Sequence, residues 1–372
     1  MRVLVTGGAG YIGSHTSKAL SRSGYEPVVL DNFSTGHRWA VKWGTAIDGD
    51  LTDSTLIREV LTNYAVQAVI HFAGSAYVGE SMQQPRKYFR NNVANTLNLL
   101  EAMVDCGVRY VVFSSSCATY GIPGAIPIGE EQLQVPINPY GESKRFAERA
   151  LDWFGRAYGL GCVALRYFNA AGADPEGEIG EAHHPETHLI PATIESALGR
   201  GHWLELYGTD YPTPDGTAIR DYVHVTDLAE AHVLALRYLF AGGTSIALNL
   251  GRGKGYSVRQ IIAAVERVSG KRVLVHEVGR RLGDPPILVA DSGNAGRILG
   301  WKPRFSGLDT VVETAWRWRE KRPDESADGA GCGRYTGVTE FPRARAGAPP
   351  QTLTDCLEPL DSIRGADRGV TT

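Results

Sequence analysis

The first turn of this chain constrains its fold more than any other feature. Residues 2–6 (RVLVT) are a short, β-branched apolar run, and a helical pattern extends from Tyr11 to about Ser23. Between them lies Thr6-Gly7-Gly8-Ala9-Gly10-Tyr11-Ile12-Gly13, with glycines at 7, 10 and 13. At that spacing the first glycine permits a tight turn, the second lets backbone approach a pyrophosphate, and the third lets helix and strand pack closely. The helix N-terminus adds free N–H groups and a partial positive charge. Glycines at a sharp strand-to-helix turn can also be purely structural. Here, however, a second apolar run at 27–30 (PVVL) ends in Asp31, 18 residues beyond Gly13. A carboxylate there accepts both ribose hydroxyls of NAD and repels the 2′-phosphate of NADP. Arg38, close by, is the residue that would favour such a phosphate. The expected cofactor is NAD.

Apolar runs at 66–73 (VQAVIHFA), 108–116 (VRYVVFSSS) and 161–168 (GCVALRYF) continue the theme, with helical stretches near 54–64 and 91–105. Such runs between helices imply parallel strands covered on both faces. The expected fold class is therefore α/β, a Rossmann-type doubly wound parallel sheet. After Asn169 the texture changes. Residues 171–188, rich in Gly, Glu, Pro and His, read as a long loop. Helices near 190–200, 226–240, 257–268 and 307–321 follow, with strands near 203–207 and 246–250. This predicts an NAD-binding domain over 1–170 and a smaller mixed C-terminal lobe over 171–322. Some strands of that lobe would return to the main sheet. Residues 323–372, without sustained periodicity, read as a tail that is disordered or at most loosely docked.

Composition narrows the function. Hydrophobic residues make up 43% and charged residues 21%, enough for a large core, and a net charge of −3 gives no basic excess for nucleic acid. No run of about 18 apolar residues is present to span a membrane. The five cysteines lack CxxC spacing, which argues against a disulfide framework or zinc site and for a reducing compartment. MRVLVTGG runs straight into a strand, so no signal peptide is expected and the expected location is cytoplasmic.

A second constellation carries chemistry. Pro139-Tyr140-Gly141-Glu142-Ser143-Lys144 places Tyr140 and Lys144 four apart at the start of a helical stretch, on one face. A free tyrosine, with a pKa of about 10, is a poor base at neutral pH. A neighbouring ammonium and a positive nicotinamide ring favour phenolate and should lower it. The group can then take a hydroxyl proton as hydride leaves the same carbon. Ser114-Ser115-Ser116 ends an apolar run, where side chains point into the ligand crevice, and Ser116 is the expected third member.

The segments TGGAGYIGSH (6–15), LDN (30–32), GDLTD (49–53), HFAG (71–74), VGES (78–81), NNV (91–93), FSSSCATYG (113–121), NPYGESK (138–144), LRYFNAAGA (165–173), HLIP (188–191), GTDYPTPDGTAIRDYVHVTDLA (208–229) and RRLGDPP (280–286) together resemble the extended short-chain dehydrogenase/reductase family and, within it, the UDP-glucose 4-epimerases. The resemblance runs from residue 1 to about 322. It implies Tyr140 as base, Lys144 as its tuning partner and Ser116 as the hydroxyl contact. It implies Tyr11 and Ile12 on the pyrophosphate, beside the cofactor-binding turn of Gly7, Gly10 and Gly13. Asp31, Asn32, Phe33, Ser34, Thr35 and Gly36 would hold the adenosine ribose, with Asp50 and Leu51 at the adenine. Phe72, Ala73, Gly74, Ala76, Asn91 and Phe168, with Ser116, Tyr140 and Lys144, would complete the NAD site. The UDP-sugar would meet Asn169, His188, Leu189, Tyr207, Arg220, Arg281 and Asp284, besides Ser116 and Tyr140. Arginine at 220 and 281 suits a diphosphate, because its fork binds in a bidentate manner.

The chain departs from the family at two places. Ala76, followed by Tyr77, replaces a lysine common in bacterial members. Leu288 replaces a bulky gate residue near the sugar, leaving N-acetylated sugars open. The HFAGSAYVGES and CATYG segments also resemble a subgroup that includes UDP-arabinose 4-epimerases. The implied reaction is NAD-dependent C4 epimerisation, most simply of UDP-glucose and UDP-galactose, through a 4-keto sugar. Related dehydratases carry an Asp-Glu pair where this chain has Cys117-Ala118, which disfavours elimination. A non-catalytic NAD sensor would not need Tyr140, Lys144 and Ser116 together. His183, His184 and His188 imitate metal spacing, but they sit in a Pro/Glu-rich loop and no metal is expected. Cys117 reads as a small buried thiol. Trp316 and Trp318 suggest one packed and one surface ring. The resemblance also implies a homodimer, with the helices after Asn91 and Tyr140, through Phe146, Leu151 and Phe154, forming its bundle; the sequence itself shows their apolar faces.

Overall fold

The computed structural model describes residues 1–200, 203–281 and 284–321; the expectation for the tail falls outside them. The chain begins β1 (Arg2–Thr6), α1 (Tyr11–Arg22), β2 (Glu26–Asp31), β3 (Thr45–Asp48), α2 (Ser54–Asn63) and β4 (Ala68–His71). Two short helices, α3 (Val78–Gln83) and α4 (Pro85–Tyr88), lead through a π-helical turn at 89–94 into α5 (Asn95–Asp105). Next come β5 (Tyr110–Ser116), α6 (Pro139–Tyr158), β6 (Gly161–Tyr167) and β7 (Asn169–Ala171). The remainder comprises α7 (Leu189–Leu198), β8 (Leu204–Tyr207), β9 (Ile219–His224), α8 (Val225–Phe240), β10 (Ile246–Leu250) and β11 (Gly255–Ser257). It ends with α9 (Val258–Ser269), β12 (Val275–Val278), β13 (Ile287–Leu288), α10 (Gly293–Leu299) and α11 (Leu308–Lys321).

Seven strands form one parallel sheet in the order β10-β6-β5-β4-β1-β2-β3. The fold is thus the expected doubly wound α/β type. Alternate side chains along each strand enter opposite cores. Val3, Val5, Ile70, Val112 and Leu165 pack under α1 and α8, against Leu20, Leu228 and Leu236. Leu4, Val69, Val111 and Phe113 pack under α2, α5 and α6, against Ile57, Leu99 and Leu151. Burial on both faces is why these strands read as unbroken apolar runs. Strand order reverses between β1 and β4, so a crevice opens beyond their C-terminal ends at Thr6 and His71.

After β7, the elements other than α8, β10 and α10, which join the main sheet and its first core, build a smaller layer. β11, β9 and β13 form a sheet with β7 added on β9, and β8 pairs with β12. Its core joins Ile190 and Ile194 of α7, Ile261 and Val265 of α9, and Val311, Val312 and Trp316 of α11. Asp221 of β9, fully buried, accepts hydrogen bonds from the backbone N–H groups of Arg252, Gly253 and Ala290 and ties this layer to the segment after β10.

Two expectations about surfaces are corrected. Trp316 and Trp318 are both buried, at 8% and 7% exposure, because Trp318 turns onto Trp39 and the loop at Gly180 instead of solvent. Of the residues named for a dimer face, Phe146 is exposed, but Leu151 is in the core and Phe154 is partly buried against it; Trp153 is the exposed ring beside them.

Candidate active site

The glycine loop turns where β1 meets α1. Gly7 has φ +70°, and a Cβ there would lie 2.6 Å from the Ala73 nitrogen; one on Gly13 would lie 2.3 Å from the Gly7 oxygen. Both positions are closed to larger residues by the chain itself. Gly10 differs, since a Cβ there would meet only the Gly7 oxygen, at 3.3 Å. It borders a narrow niche that it shares with Tyr11, Thr35 and Gly180. Helix α1 has no side-chain cap and no acidic residue in its first turn, so its N-terminal N–H groups at Tyr11 and Ile12 remain available to an anion. These features fit a dinucleotide pyrophosphate.

Asp31 ends β2 with one oxygen on Ala9 N–H at 2.9 Å and the other on Phe33 N–H at 2.8 Å. Burial raises its pKa, while these two bonds oppose the rise. The carboxylate thus braces the glycine loop through Ala9. Asn32 bridges to Asp50 at 2.5 Å and to Ser34 N–H at 3.0 Å. Asp50 also caps Thr52 N–H, and the Leu51 carbonyl accepts from Asn98. Gly36 packs on Ala9, and Thr35 faces Gly10 and Tyr11. Arg38 lies over the Phe33 ring at 4.1 Å and pairs with Asp48, so a carboxylate already engages the group that would favour NADP.

Across the crevice, Phe72 and Ala73 hang their N–H groups on the Thr6 carbonyl. Gly74 lies near Lys144 Nζ and Asn92. Asn91 donates to Ser75 at 3.0 Å, and Ala76 is exposed. Phe168 packs with Cys117, Tyr120, Ile128 and Ala290, with Leu288 at the edge.

Asn138 caps α6 through Gly141 N–H at 2.8 Å, and Pro139 occupies its first turn. That start places Tyr140 beside Ser116, which ends β5. Burial pushes the Tyr140 phenol up to about 12, and a hydrogen bond from Ser116 opposes the rise. The expected lowering by Lys144 is not found. Lys144 donates to the Ser114 carbonyl at 2.9 Å and lies 5.0 Å from the Phe113 ring centre, and burial lowers it to about 8. Cys117 is raised by burial to about 12 and is an inert thiol.

Arg220 of β9 is close enough to Cys117 to influence its thiol. Its guanidinium pairs with Asp284 and donates to the carbonyls of Ile219 and Pro285 at 2.7 Å. Arg281 stacks on Tyr207 at 3.8 Å. Leu288 pairs with Arg220 in register. Asn169 starts β7 against Tyr222, and Leu189 starts α7 over the third core. His188, just before α7, gives Nδ1–H to Glu181 and is raised to about 9 by that carboxylate despite burial.

Several participants had no motif to announce them. Glu181 accepts from both His183 and His188, and Tyr77 packs on both rings. Glu181, His183, Glu186 and His188 place ligand atoms within 4.8 Å of one another, and Arg319 pairs with Glu186. Asn92 holds Ser75 and Ser143 together. Glu148, one turn after Lys144, joins Ser115 to Arg166. The E-x-H and N-N pairs were visible in the sequence; their partners were not.

A family model described as the NAD dependent epimerase/dehydratase family matches residues 3–251. The chain belongs to that family. A UDP-glucose 4-epimerase of Rhizobium leguminosarum bv. trifolii is 51% identical over 319 residues, 86% of this chain and 97% of that one. One from Lacticaseibacillus casei is 50% identical, covering 88% and 99%. The crystal structure of UDP-glucose 4-epimerase from Brucella ovis in complex with NAD has a TM-score of 0.83 at 55% identity, covering 85% of this chain and 97% of its own. A Stenotrophomonas maltophila UDP-glucose-4-epimerase with bound NAD and formylated UDP-arabinopyranose has a TM-score of 0.83 at 39% identity, covering 86% and 98%. As an epimerase/dehydratase family member of this closeness, the chain is an NAD-dependent enzyme.

Proposed function

We propose that the chain inverts C4 of a UDP-sugar, with UDP-glucose and UDP-galactose as the interconverted pair. The observation that carries this is the junction of β5 and α6. Ser116 and Tyr140 face one another there, and the residues after Ser116 are Cys117 and Ala118, which offer no carboxylate for elimination. The glycine loop and Asp31 would hold NAD, which would supply the acceptor and donor for the C4 hydride. The chain does the rest. Tyr140 takes the proton of the C4 hydroxyl as the C4–H bond breaks, Ser116 holds that oxygen, and the proton is given back when the C4–H bond re-forms on the opposite face. Lys144 adds positive charge on the same helix face. Arg220 and Arg281 grip the diphosphate, with Tyr207 and Asp284 fixing the two forks. Asn169, His188 and Leu189 border the sugar. Firm hold on UDP with a looser hold on the hexose lets the keto sugar turn over.

Leu288, beside Cys117 and Phe168, supports a second reading in which the pocket also accepts pentose or N-acetylated UDP-sugars, because leucine leaves more room than tyrosine. The expected assembly is a homodimer, and the expected location is the cytoplasm. Among the described residues, no helix is long and apolar enough to cross a membrane. The deciding experiment is NMR of purified protein with UDP-galactose and no added NAD. UDP-glucose signals growing to a steady ratio support the reading. No conversion even with NAD added overturns it and directs the search to UDP-xylose, UDP-arabinose and N-acetylated sugars.

A further inference from the structure

The loop after β7 crosses back over the helix that begins at the glycine turn. Residues 172–183 fold on themselves through an antiparallel bridge between Ala173 and Gly180 and a bond from Asp174 N–H to the Ile179 carbonyl at 3.0 Å. On the inner side, Gly180, Ala182 and His183 face Gly10, Tyr11 and Thr35 across a narrow niche. These last three are the residues assigned to the pyrophosphate and ribose. We infer that residues 172–183 form a strap closing the NAD site, and that Lys18 fastens it so that the cofactor stays with the chain between turnovers. This rests on the proposed seating of NAD at the glycine loop.

The fastening is concentrated on α1 itself. The Tyr11 hydroxyl donates to the Gly172 carbonyl at 2.6 Å. Two turns further along the same helix, Lys18 Nζ meets both oxygens of Asp174 at 2.7 and 2.8 Å, Glu178 at 2.6 Å and Glu176 at 2.9 Å. Elsewhere the strap is held by Lys42 on the Glu178 carbonyl at 2.9 Å and His37 Nε2 on the Ala182 carbonyl at 2.6 Å. Trp318 donates to the Glu181 carbonyl at 2.9 Å and closes against Gly180. Lys18 differs from these fastenings in kind. It and Asp174 are each 5% exposed, so neither charge reaches water while the strap is shut. Removing one partner of such a pair leaves the other buried and unpaired, a cost the chain relieves by opening the strap. The helix that receives the pyrophosphate at its N-terminus thus carries the clasp near its C-terminus.

The test follows exchange of bound NAD for isotopically labelled NAD in purified holoenzyme, read by mass spectrometry of the released nucleotide. Wild type is expected to exchange slowly. Lys18→Met is expected to exchange about tenfold faster or more, and Glu178→Gln, which keeps Lys18 and Asp174 paired, by a smaller factor. Equal exchange in folded Lys18→Met and wild type overturns the inference. So does wild-type exchange complete within the mixing time. If Lys18→Met fails to fold, Glu178→Gln decides alone, and an unchanged rate in it counts against the clasp. No sugar turnover enters the readout. A chain that retains NAD but fails to epimerise therefore sinks the proposed reaction and leaves the strap standing.

Discussion

At the residue scale, the proposed reaction asks the Tyr140 phenol to lose its proton in a setting that opposes ionisation. Burial lifts it to about 12, and Lys144 is turned to the Ser114 carbonyl. Positive charge supplied at the nicotinamide then becomes the main favourable influence, which ties proton removal to the presence of oxidised cofactor. Tyr140→Phe should lower kcat by about 10²–10⁴-fold in the NMR assay. Retention of a tenth of wild-type activity would remove Tyr140 from the role of base. His188 makes a separate prediction. Its folded pKa is raised from 6.5 to about 9 by Glu181. The Glu181–His188 pair therefore contributes stability fully present below about 6.5 and lost as pH rises through about 9. Thermal midpoints of wild type and His188→Gln should differ most near pH 6 and converge by pH 9 to 10, compared as a difference so that Lys144 cancels. A gap independent of pH would show that the ion pair is not what the substitution removes.

At the element scale, the glycine turn separates two demands. Gly13 is required by the chain, since its Cβ would fall 2.3 Å from the Gly7 oxygen, while a Cβ on Gly10 would stay 3.3 Å from that same oxygen and meet nothing else. Gly13→Ala should lower stability by about 1–3 kcal/mol, whereas Gly10→Ala should leave the thermal midpoint of the NAD-free protein nearly unchanged and weaken NAD binding. Calorimetry on both variants checks this, and the reverse ranking would contradict it. The same turn shows what was legible in the sequence. Strands buried on both faces, such as β4 and β5, appear as apolar runs, and the glycine spacing needs no tertiary knowledge. β9 (IRDYVH) was not legible. It places Asp221 and His224 in the interior, where backbone N–H groups bond the former and Ser306 and Thr314 meet the segment around the latter. Nor was β3, a short edge strand with little burial. Glu181 could be seen two residues before His183, but only folding brings His188 to the same carboxylate. Helical spacing places Tyr140 and Lys144 on one face without saying where the ammonium donates, so its bond to the Ser114 carbonyl was not legible either.

At the scale of the whole molecule, one face of α6 lies over the sheet and positions Tyr140 and Lys144, and the other meets solvent with rings exposed. Phe146 and Trp153, seven residues apart on one stripe, are 48% and 61% exposed, and Phe89 packs edge-on against Phe146 at 6.2 Å. Ion pairs Glu142–Arg145 and Asp152–Arg156 on the same helix border this apolar surface. An apolar stripe with a charged rim on a long helix fits a twofold contact, in which each α6 meets its copy. Because α6 also carries the proposed base, a helix braced in this way would keep Tyr140 fixed relative to Ser116. Sedimentation velocity at micromolar concentration should show a dimer, and the double variant Phe146→Glu with Trp153→Glu should sediment as a folded monomer with unchanged helix content. A monomeric wild type, or a double variant that remains dimeric, would place the assembly surface elsewhere and leave the exposed rings of α6 without a structural reason.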